Sequence, residues 1–146
     1  MGPAEPSMAE VVVDTNVVAY YLLGVPEHRD LLSSLFVSDL DFVAPESLKA
    51  EILNVLWLAI RHGPLTLNEA LDRLDIVERL VTRSIPITHL WATALTLSAK
   101  NQHSPYDTLF VAAAERAGTK LLTYDRRIRD AFPETAVDPG AFLANR

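Results

Sequence analysis

Hydrophobic and polar positions along this chain fall into short blocks that switch between two periods. Val11-Val12-Val13 is an unbroken β-branched run that stops at Asp14-Thr15-Asn16, after which Val17, Val18, Tyr21 and Leu22 recur at helical spacing. Such a run predicts a strand buried on both faces that turns into a helix. Gly24 and Pro26 punctuate a turn, and Leu31, Leu32, Leu35 and Phe36 predict a second helix with Pro26 in its first turn. Asp39 and Asp41 flank a turn before Phe42-Val43-Ala44, a second buried strand ended by Pro45. The longest helical stretch covers about 46–62 and closes at Gly63-Pro64. Leu48, Ile52, Val55, Leu56 and Ala59 form its apolar stripe, and Ser47, Glu51, Asn54 and Arg61 its polar arc.

Thr66, with Glu69 three residues on, makes a capping box for a helix carrying Leu67, Ala70, Leu71, Leu74, Val77 and Val81. Ile85-Pro86-Ile87 is a candidate third strand whose proline suits an edge or a strand start. A helix over about 89–100 follows, with His89 read as a cap or surface residue because no second imidazole lies at metal-binding spacing. Ser104-Pro105-Tyr106-Asp107 has the form of a helix start, with Ser104 as N-cap and Pro105 at the first helical position. The helix it opens holds Ala112, Ala113, Ala114 and Ala117, small enough to approach a sheet closely, and Gly118 ends it. Lys120 to Thr123 predicts another parallel strand, stopping at Tyr124-Asp125 before a short helix through Ile128 to Phe132. Ala136-Val137 adds an edge strand, and nothing after Pro139 gives a signal. Alternating strands and helices predict an α/β protein with a parallel sheet whose strand ends all face one way.

Composition narrows the class. With 146 residues, 49% of them hydrophobic, the chain supports one domain with its own core. Residues 1–8, rich in proline and without periodicity, read as a flexible arm, and 9–146 as the domain. No window approaches the roughly 18 apolar residues of a membrane span, and the start lacks the pattern of a signal peptide. The expectation is a soluble cytoplasmic protein with no membrane partner. The absence of cysteine excludes disulfides and thiolate metal sites, leaving hard cations such as Mg²⁺ or Mn²⁺ on oxygen ligands. A net charge of −6 argues against nonspecific coating of nucleic acid.

The candidate chemistry lies in four acids. Asp14, Asp107 and Asp125 fall at junctions that lead into helices, and Glu51 lies one turn into the helix after the second strand. Each has a plain alternative. Asp14 and Asp125 suit N-caps, Asp107 suits a helix first turn at ~0.3–1 kcal/mol, and Glu51 suits a solvated helix face. Taken together they are placed to converge, because ligands of open α/β sheets bind at the carboxyl ends of the strands. Four carboxylates at close quarters repel one another unless a cation neutralises them, which implies one or two divalent metals. Metals held this way hydrolyse phosphodiesters.

In these motifs the chain resembles PIN-domain ribonucleases, most closely VapC-type toxins of bacterial toxin–antitoxin pairs. The resemblance runs from Val11 to Phe132 through Asp14-Thr15-Asn16, Val43-Ala44-Pro45 with Glu51, Ser104-Pro105-Tyr106-Asp107-Thr108-Leu109, and Leu122-Thr123-Tyr124-Asp125. Each motif alone is weak, and four in this order are specific. The resemblance implies a three-layer α/β/α sandwich around a parallel sheet, often dimeric. It also implies an Mg²⁺ or Mn²⁺ site on Asp14, Glu51, Asp107 and Asp125, supported by Thr15, Asn16 and Thr123. An RNA substrate and a separately encoded antitoxin complete the expectation. Arg116, Lys120, Arg126, Arg127 and Arg129, opposed only by Asp125 within 116–129, either hold RNA phosphates beside the site or form a solvated face.

Two rivals remain in view. One is a catalytically silent PIN-like binding module whose acids only cap helices, although no acid is missing. The other is an aspartyl-nucleophile phosphatase, which usually needs a second Asp where this chain has Asn16.

Overall fold

The structure is a computed structural model that describes residues 9–146. The arm expected at 1–8 lies outside the described residues. The elements are β1 (Glu10–Val13), α1 (Thr15–Leu23), α2 (Arg29–Phe36), β2 (Asp41–Pro45), α3 (Ser47–His62), α4 (Leu67–Leu80), β3 (Val81–Ile85), α5 (Trp91–Asn101), α6 (Pro105–Ala117), β4 (Leu121–Leu122), α7 (Arg126–Ala131), β5 (Ala136–Val137) and α8 (Pro139–Ala144). Short 3₁₀ turns at Pro26–His28 and Ile87–His89 lead towards α2 and α5.

All the strand pairings are parallel, in the order β3-β2-β1-β4-β5. The chain winds outward from β1 to β3, then returns across the sheet to β4 and β5. Right-handed crossovers place α1 to α4 on one face and α5 to α7 on the other, giving the three layers. The change of direction falls between β1 and β4, where Asp14 N–H donates to the Leu122 carbonyl at 2.9 Å. That point is where ligands of open parallel sheets bind.

Packing follows the sequence pattern closely. Val11, Val12 and Val13 are wholly buried, as a central strand covered on both faces requires. In α6 every residue from Thr108 to Ala114 is buried, because the helix lies between the sheet and α5 and its alanines allow the close approach. The buried Thr108 hydroxyl is satisfied within this layer, donating to the Ala94 carbonyl at 2.9 Å and lying 2.7 Å from Ser98 Oγ.

Four elements differ from expectation, the first being α2, which begins at Arg29 after a separate 3₁₀ turn that holds Pro26. The third strand is Val81–Ile85 rather than Ile85–Ile87. Val81 fits the helical stripe but takes extended backbone as the C-cap of α4, so helix passes into edge strand with no glycine or proline between them. Pro86 ends the strand and opens a turn, which holds His89 and delays α5 to Trp91. Beyond Pro139 there is a helix, α8, whose Asp138 side chain accepts from Gly140 and Ala141 N–H. Asp138-Pro139 carries the same N-cap and N1 signal as Ser104-Pro105, so this helix was readable.

Candidate active site

Asp14 stands at the carboxyl end of β1 and is buried, at 7% exposure. Its Oδ1 accepts from Thr15 N–H at 2.8 Å. Its Oδ2 accepts from the Thr123 hydroxyl at 2.7 Å and from Asn16 Nδ2 at 3.3 Å. The cap and the site are therefore the same residue. Thr123 Oγ1 in turn accepts from Asn16 Nδ2 at 3.2 Å and from Asp125 N–H at 2.9 Å, while Asn16 Oδ1 accepts from Tyr124 N–H at 3.1 Å. Asn16 and Thr123 thus join the β1 turn to the β4 turn through their side chains, whereas Thr15 takes part only through its backbone N–H.

Burial first, and then the charges of Asp107 and Asp125, raise the Asp14 carboxyl to about 6 against the hydrogen bonds from Thr123 and Thr15. Glu51 rises to about 7, through burial and then the charges of Asp14 and Asp107. The Thr15 hydroxyl lies close enough to offset part of this, yet neither it nor Glu51 Oε2 has a hydrogen-bond partner, and both atoms are buried. Glu51 is therefore not a solvated helix glutamate. Asp107 is raised as well, by burial and then by Asp125, with His103 and Arg127 opposing. Asp125 caps α7, its Oδ1 accepting from Arg127 N–H at 2.9 Å. Each of the four acids thus sits within electrostatic reach of at least two others.

The basic residues divide. Arg127 bears on Asp107, and Arg129 Nη1 donates to the Thr123 carbonyl at 3.1 Å, so α7 brings positive charge to the site's edge. Arg126 is exposed on the same helix and faces Asp130 at 3.8 Å. Arg116 lies nine residues past Asp107 on α6, roughly 13 Å along its axis. Lys120 precedes β4 and donates to the Glu134 carbonyl at the far end of the sheet. Neither borders the acids, because the helix and strand that carry them run away from the crevice mouth.

Two features escaped the sequence. Tyr20, His28 and Tyr124 form a ring cluster with centroids 4.3–5.3 Å apart, holding the turn that carries Asp125 against α1. His103 lies beside Asp107, and its neighbour Ser104 drew attention only as a cap.

The four carboxylates offer a cation hard oxygen donors, which suits Mg²⁺ or Mn²⁺. Among the described residues no three acidic or imidazole groups stand close enough to enclose an ion as placed. The buried, unpartnered Glu51 Oε2 and the mutual repulsion of the acids nevertheless suit a group of positive charge.

An α/β/α sandwich with an acidic crevice at its switch point defines the class of this protein. The chain belongs to the PIN domain family, whose profile matches residues 11–132. It is 33% identical over 129 residues to ribonuclease VapC3 of Pyrobaculum aerophilum, spanning 85% of this chain and 95% of that one. Its fold is similar to that of PAE2754 from Pyrobaculum aerophilum, with TM-score 0.65 and 21% identity over 94% of this chain and 89% of the other. It is also similar to VapBC2 of Rickettsia felis bound to a DNA fragment from their promoter, with TM-score 0.65 and 14% identity over 88% of this chain and 98% of that one. VapBC-1 of nontypeable Haemophilus influenzae gives 0.63 and 14% over 90% and 98%.

Proposed function

We propose that this protein is an Mg²⁺- or Mn²⁺-dependent endoribonuclease and the toxin of a toxin–antitoxin pair. The observation that carries the reading is the convergence of Asp14, Glu51, Asp107 and Asp125 on one crevice, where three of them are held above the usual carboxylate range. Those four would hold the metal, which when bound supplies the positive charge that activates water and offsets charge on an in-line transition state. Asn16 and Thr123 fix the Asp14 carboxylate in place. Arg127 and Arg129 offer cations at the edge, where RNA phosphates would lie. Incubation of the protein with RNA in Mg²⁺ or Mn²⁺, with EDTA in parallel and the cut ends mapped, tests this. Metal-dependent internal cuts are expected, and equal cleavage in EDTA would refute it.

An antitoxin partner would bind on α3 and α4. Leu53 and Trp57 of α3 and Leu67 and Leu71 of α4 are exposed at i, i+4 spacing on adjoining helices, and a groove of about 490 Å³ runs between α3, α4 and β3. An amphipathic helix fits such a surface. The leucine-rich α2 offers no such surface, because Leu32 and Leu35 are buried and Leu31 and Phe36 pack on the core. The expected homodimer would use the apolar face of Ile87, Trp91 and Leu95, beside Pro105. Light scattering of the free protein tests that assignment, and a monomer would refute it.

A further inference from the structure

His103 is a buried imidazole with no part in the mechanism above. It lies in the turn between α5 and α6, one residue before the Ser104 cap, with its side chain 9% exposed. Its ring packs against Phe132 at the end of α7, centroids 5.7 Å apart at 59°. It is thereby wedged between the helix that carries Asp107 and the helix capped by Asp125. Its Nδ1 is buried without a hydrogen-bond partner and stands 3.9 Å from Asp107 Oδ2. A buried ring nitrogen left unpaired costs stability, so a site that keeps one aimed at a carboxylate points to a bond made when the carboxylate moves.

We propose that His103 is a positioning residue for Asp107, its Nδ1–H donating to Oδ2 and turning the other carboxylate oxygen towards the shared cation. The inference rests on the metal-site reading above. An imidazole N–H behind a ligating carboxylate fixes which oxygen faces the metal, and loss of such a partner typically costs about 10–100-fold in metal affinity or activity. Phe132 sets the ring plane, so the side chain has little freedom to aim elsewhere.

The test is calorimetric titration of Mn²⁺ alone into wild type and three variants, with melting temperature as a folding control and RNA cleavage alongside. His103→Leu keeps an apolar filler against Phe132 and removes the donor. His103→Asn carries its amide nitrogen two bonds from Cβ, as Nδ1 is, whereas His103→Gln places it one bond further out, nearer Nε2. Leu and Gln are expected to weaken Mn²⁺ binding about tenfold or more, with Asn within about threefold of wild type. Equal binding by wild type and the Leu variant would overturn the proposal. Equal loss in all three would also overturn it, because shape rather than the N–H would then matter. If wild type itself neither binds Mn²⁺ nor cleaves RNA, the nuclease reading fails and this proposal falls with it.

Discussion

A helix cap and a place in an acidic crevice, which sequence reasoning treats as alternatives, fall on a single side chain here. Asp14 caps α1 through Thr15 N–H and also faces the acidic crevice, and Asp125 does the same for α7. This is why the sequence marked Asp14 and Asp125 as candidates but could not separate cap from chemistry at either. Glu51 was the least legible, since only its unpartnered buried oxygen separates it from an ordinary helix glutamate. The network also decides what substitution does. Asp14→Asn turns an amide N–H₂ towards Thr123 Oγ1, which already receives donors from Asn16 and Asp125, so the relief of charge is offset by lost acceptors costing about 1–3 kcal/mol. Glu51→Gln removes a charge and breaks no hydrogen bond. The metal-free Glu51→Gln protein is therefore expected to be more stable than wild type above pH 7, by about 1 kcal/mol after allowance for solvent screening, and Asp14→Asn no more stable than wild type. Chemical denaturation in EDTA at pH 8 measures both.

At the scale of elements, buried strands and capped helices were legible because their signals are local. β1, β2, the capping box of α4 and the Ser104-Pro105 start of α6 all stand where the pattern puts them. β3 was misplaced because an edge strand with Thr82 and Arg83 exposed lacks an apolar run, and Val81 continues the stripe of the preceding helix. The basic run divides for a different reason. Residues close in sequence separate once α6 and β4 carry Arg116 and Lys120 to the opposite end of the sheet. Arg127→Ala is thus expected to weaken RNA binding and flatten its salt dependence, with Lys120→Ala close to neutral, as filter binding across a salt series would show. The same logic applies to the α3–α4 surface. Trp57→Glu, on an exposed position, is expected to abolish antitoxin binding in a pull-down while RNA cleavage stays within about twofold.

The whole molecule places its acids where the winding direction of the sheet reverses, and a net charge of −6 adds to their repulsion. Stability should therefore depend on pH with an unusual sign. In the folded protein Asp14 is raised to about 6 and Glu51 to about 7, so between about pH 4 and 7 the native state binds more protons than the unfolded chain. Stability then falls as pH rises across that window, by roughly 2–4 kcal/mol in the absence of metal. Melting curves from pH 5 to 8 in EDTA are expected to show it, and saturating Mn²⁺ to abolish it.

The proposed site requires the four carboxylates to act as one unit rather than as two helix caps, a first-turn aspartate and a helix-face glutamate. Rates of RNA cleavage in Mn²⁺ for Asp14→Asn, Glu51→Gln, Asp107→Asn and Asp125→Asn, singly and in pairs, test it most directly. Each single change is expected to cost about 10²-fold or more, and pairs little beyond that, as for residues that function together. Asparagine caps helices as well as aspartate, so activity within a few-fold of wild type in Asp14→Asn and Asp125→Asn would contradict the account.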